Sequence, residues 1–280
     1  MSATIRRFVA NPKALFGLTI LAIVVLAALF APLLFPRDPW QMATRPFLPP
    51  FQDVNFWLGT DMLGRDILAG LVYGAQVSLI VGLVSTLVAV GVGILFGALA
   101  GYYGGIIDDA LMRITEFFQT IPTFVFALVL VAILSPSVAS IILAIGIVSW
   151  PPVARLVRGE FASLRSREYV KAAMVLGQSD RQIILTQILP NTMSPVIAMS
   201  SLMVASAILT EAAISFLGLG DPNMMSWGYM IGASRTVIRQ AWWMSFFPGI
   251  VILLVVLALN LVGDALNDVL NPRLSQKGRQ

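Results

Sequence analysis

Long stretches without an ionisable side chain dominate the chain, and their lengths map its elements. A helix needs about 20 mostly apolar residues to cross a membrane. Between Lys13 and Arg37 lie 23 uncharged residues, Ala14 to Pro36, enough for one span. Between Asp66 and Asp108 lie 41, Ile67 to Ile107, too many for one crossing. That stretch predicts a short membrane-surface helix and then a span from about Val77 to Ala100. Phe117 to Ala154 is 38 residues interrupted by Ser135-Pro136-Ser137, a turn signal, and predicts a helical hairpin of two spans. Gln182 to Thr210 predicts a fifth span and Gln240 to Gly263 a sixth. The expected fold class is an all-α membrane protein with six transmembrane helices and both termini on one side.

This pattern divides the chain into an N-terminus over 1–13, a first span over 14–36 and a loop with a short helix over 37–76. A five-span core follows over 77–266, with loops at 155–191 and 218–239, and then a tail over 267–280. Of the 18 basic residues, 13 fall on the side of the termini and 5 (Arg37, Arg45, Arg65, Arg235 and Arg239) on the other. Cytoplasmic segments hold the excess of Lys and Arg, so both termini and residues 155–191 are expected in the cytoplasm. The apolar stretch Ala14 to Leu34 is longer than a secretory signal's, and no small-residue cleavage site follows it.

Composition narrows the chemistry. The chain is 58% hydrophobic and 11% charged, and it contains no cysteine and no histidine. Thiolate nucleophiles, imidazole bases, Cys/His metal sites and disulfides are therefore excluded. A phosphate-cradling loop needs Lys directly after Gly, followed by Ser or Thr. The three lysines, Lys13, Lys171 and Lys277, follow Pro, Val and Gln, so that nucleotide motif is absent. Ion coupling would require a carboxylate at membrane depth, for which Glu116 and Glu211 are the candidates. Glu211 is read as lining an interior or a subunit contact. Gly91, Gly93, Gly97 and Gly101 recur at near-helical small-residue spacing and read as helix-packing positions.

Two loops carry most of the remaining information. In the cytoplasmic one, Ser166 is placed to cap a short helix with Glu168 in its first turn, and Gly177 to end it. Ser179 with Gln182 forms a capping box for a second helix that Pro190 stops or kinks. On the first helix, Val170, Ala173 and Gly177, or Ala172 and Leu176, form a small apolar stripe flanked by Arg165, Arg167 and Lys171. Such a stripe suits insertion into a groove on another protein. A basic amphipathic helix lying on lipid headgroups is the alternative. In the other loop, Gly59, Thr60, Asp61, Gly64, Arg65 and Asp66 concentrate turn formers and charge, with the two carboxylates flanking Arg65.

These stretches resemble a known family. Ala172, Ala173, Gly177, Leu189 and Pro190 match the cytoplasmic signature of ABC importer permeases. Lys171 stands where that family usually has Glu, so the family's glutamate contact to the ATPase does not carry over, whereas the docking role of the short helix does. Gln187 stands where the family usually has Ile, with Ile188 beside it. Leu58 to Ile67 (LGTDMLGRDI), Tyr73 to Leu79 (YGAQVSL), Ile208 to Gly220 (ILTEAAISFLGLG) and Trp227-Gly228 closely resemble the peptide- and nickel-type group, in its C member.

The resemblance implies the type I importer permease fold in a bacterial inner membrane. It also implies a second homologous permease, two ATPase subunits or domains and an external solute-binding protein as partners. ATP and Mg would bind those ATPases, with no cofactor or metal in this chain and no nucleic-acid partner; membrane lipid surrounds it. The cargo class implied is a short peptide or a compound of similar size. An ion-coupled carrier acting alone is the rival reading.

Overall fold

The computed structural model describes residues 8 and 10–270, and the regular structure within them is helical, with one isolated β-bridge between Thr60 and Asp66 in the long loop after Leu34. In chain order the helices are α1 (Pro12–Leu29), α2 (Ala31–Leu34), α3 (Ile67–Tyr103), α4 (Gly105–Thr120) and α5 (Thr123–Leu134). They continue with α6 (Val138–Ser149), α7 (Pro151–Arg165), α8 (Glu168–Val175), α9 (Asp180–Leu219), α10 (Trp227–Ser234) and α11 (Trp243–Leu270). Four of them, α1, α3, α9 and α11, are long and apolar enough to cross a membrane. The pairs α4/α5 and α6/α7 pass the same test together, bent by 83° and 41°, so the described residues hold four to six candidate spans.

The surface helix expected before Val77 is not separate: Ile67 to Tyr103 form one continuous helix of 37 residues. At 1.5 Å per residue it is about 56 Å long, well beyond a hydrocarbon core of roughly 30 Å. No proline interrupts it, and its early glycines are closely packed. A Cβ on Gly70 would lie 3.0 Å from the sulfur of Met225, and one on Gly74 3.2 Å from the Trp227 ring. Two of its polar side chains bond to the segment before it: Tyr73 donates to the Phe35 carbonyl at 2.9 Å and Gln76 to the Ala28 carbonyl at 2.7 Å. Tertiary packing thus supports one continuous helix through a stretch whose composition invites a break.

Of the glycine series further along α3, Gly91 is exposed with no neighbour within 4 Å of a Cβ built on it, whereas Gly93, Gly97 and Gly101 form a packing face. A Cβ on Gly93 would come 2.5 Å from Val153 Cβ, one on Gly97 would strike the Ala154 carbonyl, and one on Gly101 would lie 2.5 Å from the Arg158 carbonyl. All three contacts belong to α7, which α3 meets more extensively than any other helix.

Prolines set the bends elsewhere. Pro122 separates α4 from α5, and Pro151 and Pro152 open α7 after Ser149. The hairpin turn falls at Ser135–Ser137 as expected. Ser137 accepts from the Ser140 amide, and Asp221 accepts from the Val138 amide at 3.1 Å, tying the tip to the loop after α9. Pro190, by contrast, neither stops nor separates a helix: α9 runs from Asp180 to Leu219 through it. A wider π-helical stretch, Ile183–Ile188, lies directly before it. Such a stretch accommodates a ring that has no N–H and crowds the preceding turn.

Candidate functional site

At one end of the bundle, helix α8 is held between two hinges. The first is not the serine cap expected from the sequence. Ser166 closes α7 instead, its hydroxyl donating to the Ser163 carbonyl at 2.8 Å, and Arg167 occupies the cap position of α8 without a side-chain bond. The second hinge follows expectation. Gly177 has φ +77°. Its amide donates to the Met174 carbonyl at 3.0 Å and the Gln178 amide to the Ala173 carbonyl at 3.1 Å, the paired bonds of a Schellman ending. Ser179 then accepts from the Gln182 amide at 3.4 Å to open α9.

The stripe on α8 also divides differently. Val170 and Ala173 turn inward, 0% and 5% exposed, against Phe161, Val157 and Ile188. They seat the helix on its own bundle. The free face is one position round: Ala172 is exposed, and Val175 and Leu176 are 88% and 80% exposed. Arg167 and Lys171 flank that face, also exposed. Leu189 packs partly into the core below, and Pro190 is exposed. Both hinges are tied to the end of α3, through Arg165, which the sequence marked beside the stripe, and through Tyr102, Tyr103 and Asp180, which it did not. Tyr102 donates to Asp180 at 2.7 Å, and Arg165 donates to the Tyr103 carbonyl while lying 5.6 Å over the Tyr102 ring. Beside them Arg158 grips the Asp108 carboxylate at 2.5 Å through two nitrogens.

At the opposite end the glycine- and charge-rich motif is a folded knot. Thr60 is fully buried, donating to the Arg45 carbonyl at 2.9 Å and accepting from the Leu48 amide at 3.0 Å. Gly59 and Gly64 have φ +80° and +78°, and a Cβ on either would strike a carbonyl oxygen, of Leu48 and Thr44 respectively. Asp61 accepts from the amides of Leu63 and Arg65 at 2.8 and 2.9 Å, while Asp66 caps α3 by accepting from the Leu68 amide at 2.8 Å. Burial pushes the Asp66 carboxyl above the ordinary carboxylate range, opposed by that amide bond. The two carboxylates that flank Arg65 in sequence therefore do not both face it. Its guanidinium lies 4.6 Å over Trp40 and 3.9 Å from Asp61, and Asp66 is committed to the cap. Trp243 of α11 donates to the Thr60 carbonyl at 3.1 Å, fastening the knot to the bundle.

Glu211 lies inside the chain, 2% exposed. Ser215 and Ser226 donate to one of its carboxylate oxygens at 2.8 and 2.7 Å. The adjoining Trp227 indole donates to the Leu71 carbonyl at 2.9 Å, so this cluster joins α9, α10 and α3. Glu116 is exposed on α4.

Halfway along the bundle a cavity of about 410 Å³ opens between α3, α9 and the breaks of the two bent pairs. Ser85, Thr123, Ser149 and Ser206 are on its wall, and no Asp, Glu, Lys or Arg is among its lining residues. The isolated hydroxyls within apolar spans were a sequence signal for it; their convergence needed the fold.

Residues 93–276 match the model of the binding-protein-dependent transport system inner membrane component, and residues 1–50 match the N-terminal transmembrane domain of oligopeptide transport permease C. The chain belongs to this inner-membrane transport family. The permease is 41% identical over 274 residues to the di/tripeptide transport system permease protein DppC of Pseudomonas aeruginosa, covering 95% of this chain and 90% of that one. It is 38% identical to the dipeptide transport system permease protein DppC of Bacillus subtilis, covering 96% and 84%. Its fold matches a chain of the MetNI methionine ABC transporter, solved in inward-facing conformations, with a TM-score of 0.59 at 17% identity over 73% of the permease and 98% of that chain. The permease thus has the helical fold of ABC importer membrane subunits.

Proposed function

We propose that the chain is one of two permeases of an ATP-driven importer, forming half of a pathway for short peptides or solutes of similar size handed over by an external binding protein. The observation that carries this reading is α8: a short helix between two hinges, seated on the bundle by Val170 and Ala173 and presenting Ala172, Val175 and Leu176 to a partner. A chain without a nucleotide loop acquires ATP-driven motion through such a face. Two ATPase subunits or domains bind ATP and Mg, and this chain itself is non-catalytic. Movement of α8 passes through Tyr102 and Asp180 to α3 and α9, opening the pathway alternately to the two sides. Nucleotide and cargo drive the switch because they bind the two states differently. The chain spans the inner membrane six times, counting each bent pair as one, with both termini and α8 cytoplasmic, as the 13 to 5 division of basic residues supports. The knot at residues 59–66 shapes the external mouth. The full-length relatives named for di- and tripeptide transport support the cargo class.

The test is reconstitution of the complex in vesicles with ATP enclosed. Uptake of a labelled dipeptide should require ATP and the binding protein and should survive collapse of the ion gradients by ionophores. Uptake without ATPase subunits, or uptake abolished by ionophores, would establish an ion-coupled carrier instead. The packing of Glu211 away from the cavity wall argues against that alternative.

A further inference from the structure

We propose that the mid-bundle cavity is a subsite for the main chain of a peptide, which it engages through hydroxyl and amide groups and without any charge of its own. This rests on the importer reading above and concerns how this permease's half of the pathway treats its cargo. The cavity lies where both bent pairs break, at Thr120–Thr123 and Ser149–Pro151, and opposite Ser85, midway along α3. Irregular backbone at membrane depth persists where it is buried in protein or lines a polar cavity, and broken helices at mid-depth are where transporters gather polar groups. Helix α5 starts after Pro122 with no side chain bonding its first amides, and its leading residues Thr123 and Phe124 are on the wall.

A second observation points to a ligand independently. Ser85 is fully buried and its hydroxyl has no hydrogen-bond partner. A buried hydroxyl is normally satisfied, and a serine in a helix has the carbonyl one turn back within reach. Its unmade bond on the wall of a cavity is a place for a visiting group. Thr86, Gln119, Thr123, Ser149, Ser206 and Thr210 complete the polar wall.

The chemistry of this wall selects what it can hold. Hydroxyls and carboxamides both donate and accept, and every peptide offers the same alternation of C=O and N–H whatever its side chains. A fixed charge at this depth would hold an opposite side-chain charge and repel a like one, because low dielectric strengthens both effects. A pathway must bind weakly enough to release. The uncharged wall therefore passes acidic, basic and neutral peptides alike, and discrimination among them is left to the step that delivers the cargo.

The experiment uses the absence of native cysteine in this chain. Ser206→Cys, at an exposed position on α9, is close in size to serine and lets the complex assemble before any charge is added. With cysteine-free partner subunits in vesicles, the thiol is modified during turnover with sulfonatoethyl, trimethylammonioethyl or methyl methanethiosulfonate. Uptake of Ala-Glu and Ala-Lys is then compared at matched occupancy of the binding protein. The unmodified complex should carry both at rates within about threefold, the anionic label should disfavour Ala-Glu relative to Ala-Lys by roughly tenfold, and the cationic label should reverse the order. The methyl label should leave the ratio unchanged. Failure of the charged reagents to reach the thiol, a ratio unmoved by either charge, or strong charge selectivity before labelling would overturn the proposal. If the unsubstituted complex shows no ATP-driven peptide uptake, the importer reading itself fails and this inference with it.

Discussion

Gly177 and Asp66 show how a single residue sets the geometry around it. No heavy atom lies within 4 Å of a Cβ built on Gly177, so its requirement is purely conformational, at φ +77°. A non-glycine residue held there costs about 1–3 kcal/mol, most for a β-branched one and least for Asn. Gly177→Val should therefore misaim the start of α9 and reduce both ATPase co-purification and uptake, while Gly177→Asn should retain most of each. Asp66 offers a pH readout. Burial raises its carboxyl in the folded chain, so the folded state holds the proton more tightly than the unfolded one. Stability from that difference is fully present below the unfolded value of about 3.9 and is lost as pH rises through the folded value. Asp66→Asn keeps an oxygen for the Leu68 amide and cannot ionise. Thermal unfolding of parent and variant should show the difference moving in the variant's favour between pH 4 and pH 7.

At the scale of an element, α8 has two faces with separable roles. The inner face, Val170 and Ala173, is part of a core with Phe161 and Ile188. Overfilling such a site costs roughly 1–3 kcal/mol before the cost of burying a charge. Ala173→Arg should therefore lower the melting temperature and yield of the permease even without its partners. The outer face carries Leu176 at 80% exposure, where substitutions stay within about 0.5 kcal/mol of stability. Leu176→Asp should leave the permease intact and cost it the ATPase in co-purification. Equal effects of the two variants on stability would show that the faces are not distinct. The short stripe of small residues was legible in the sequence; which side of it faced inward was not, because a helix this short presents apolar residues in two directions.

For the whole molecule the decisive quantity is sidedness. Asn55 and Ser179 are exposed at opposite ends of the bundle, and the chain has no cysteine to confuse their labelling. In intact cells an impermeant thiol reagent should modify Asn55→Cys and leave Ser179→Cys untouched until the membrane is opened. Labelling of Ser179→Cys from outside would invert the map. The two ends are linked by α3, whose first residues adjoin the knot at Thr60–Asp66 and whose last residues, Tyr102 and Tyr103, hold the hinges of α8. One 37-residue helix thus connects the two loops that the sequence marks as separate motifs.

The presence of several helices long and apolar enough to cross a membrane, the turn at Ser135–Ser137 and the left-handed ending at Gly177 were determined by the sequence alone. Each depends on local chemistry: the length of an uncharged run, a proline with serines, a residue without a side chain. The unbroken course of α3, the passage of α9 through Pro190, the inward turn of Ala173 and the cap role of Asp66 were decided only in three dimensions. In each the local signal allowed more than one outcome, and contacts distant in sequence chose between them. Met225 and Trp227 close on Gly70 and Gly74, and Phe161 and Ile188 close on Ala173. The cavity belongs to the same class, since its hydroxyls come from four helices and acquire a common purpose only where two of the spans break.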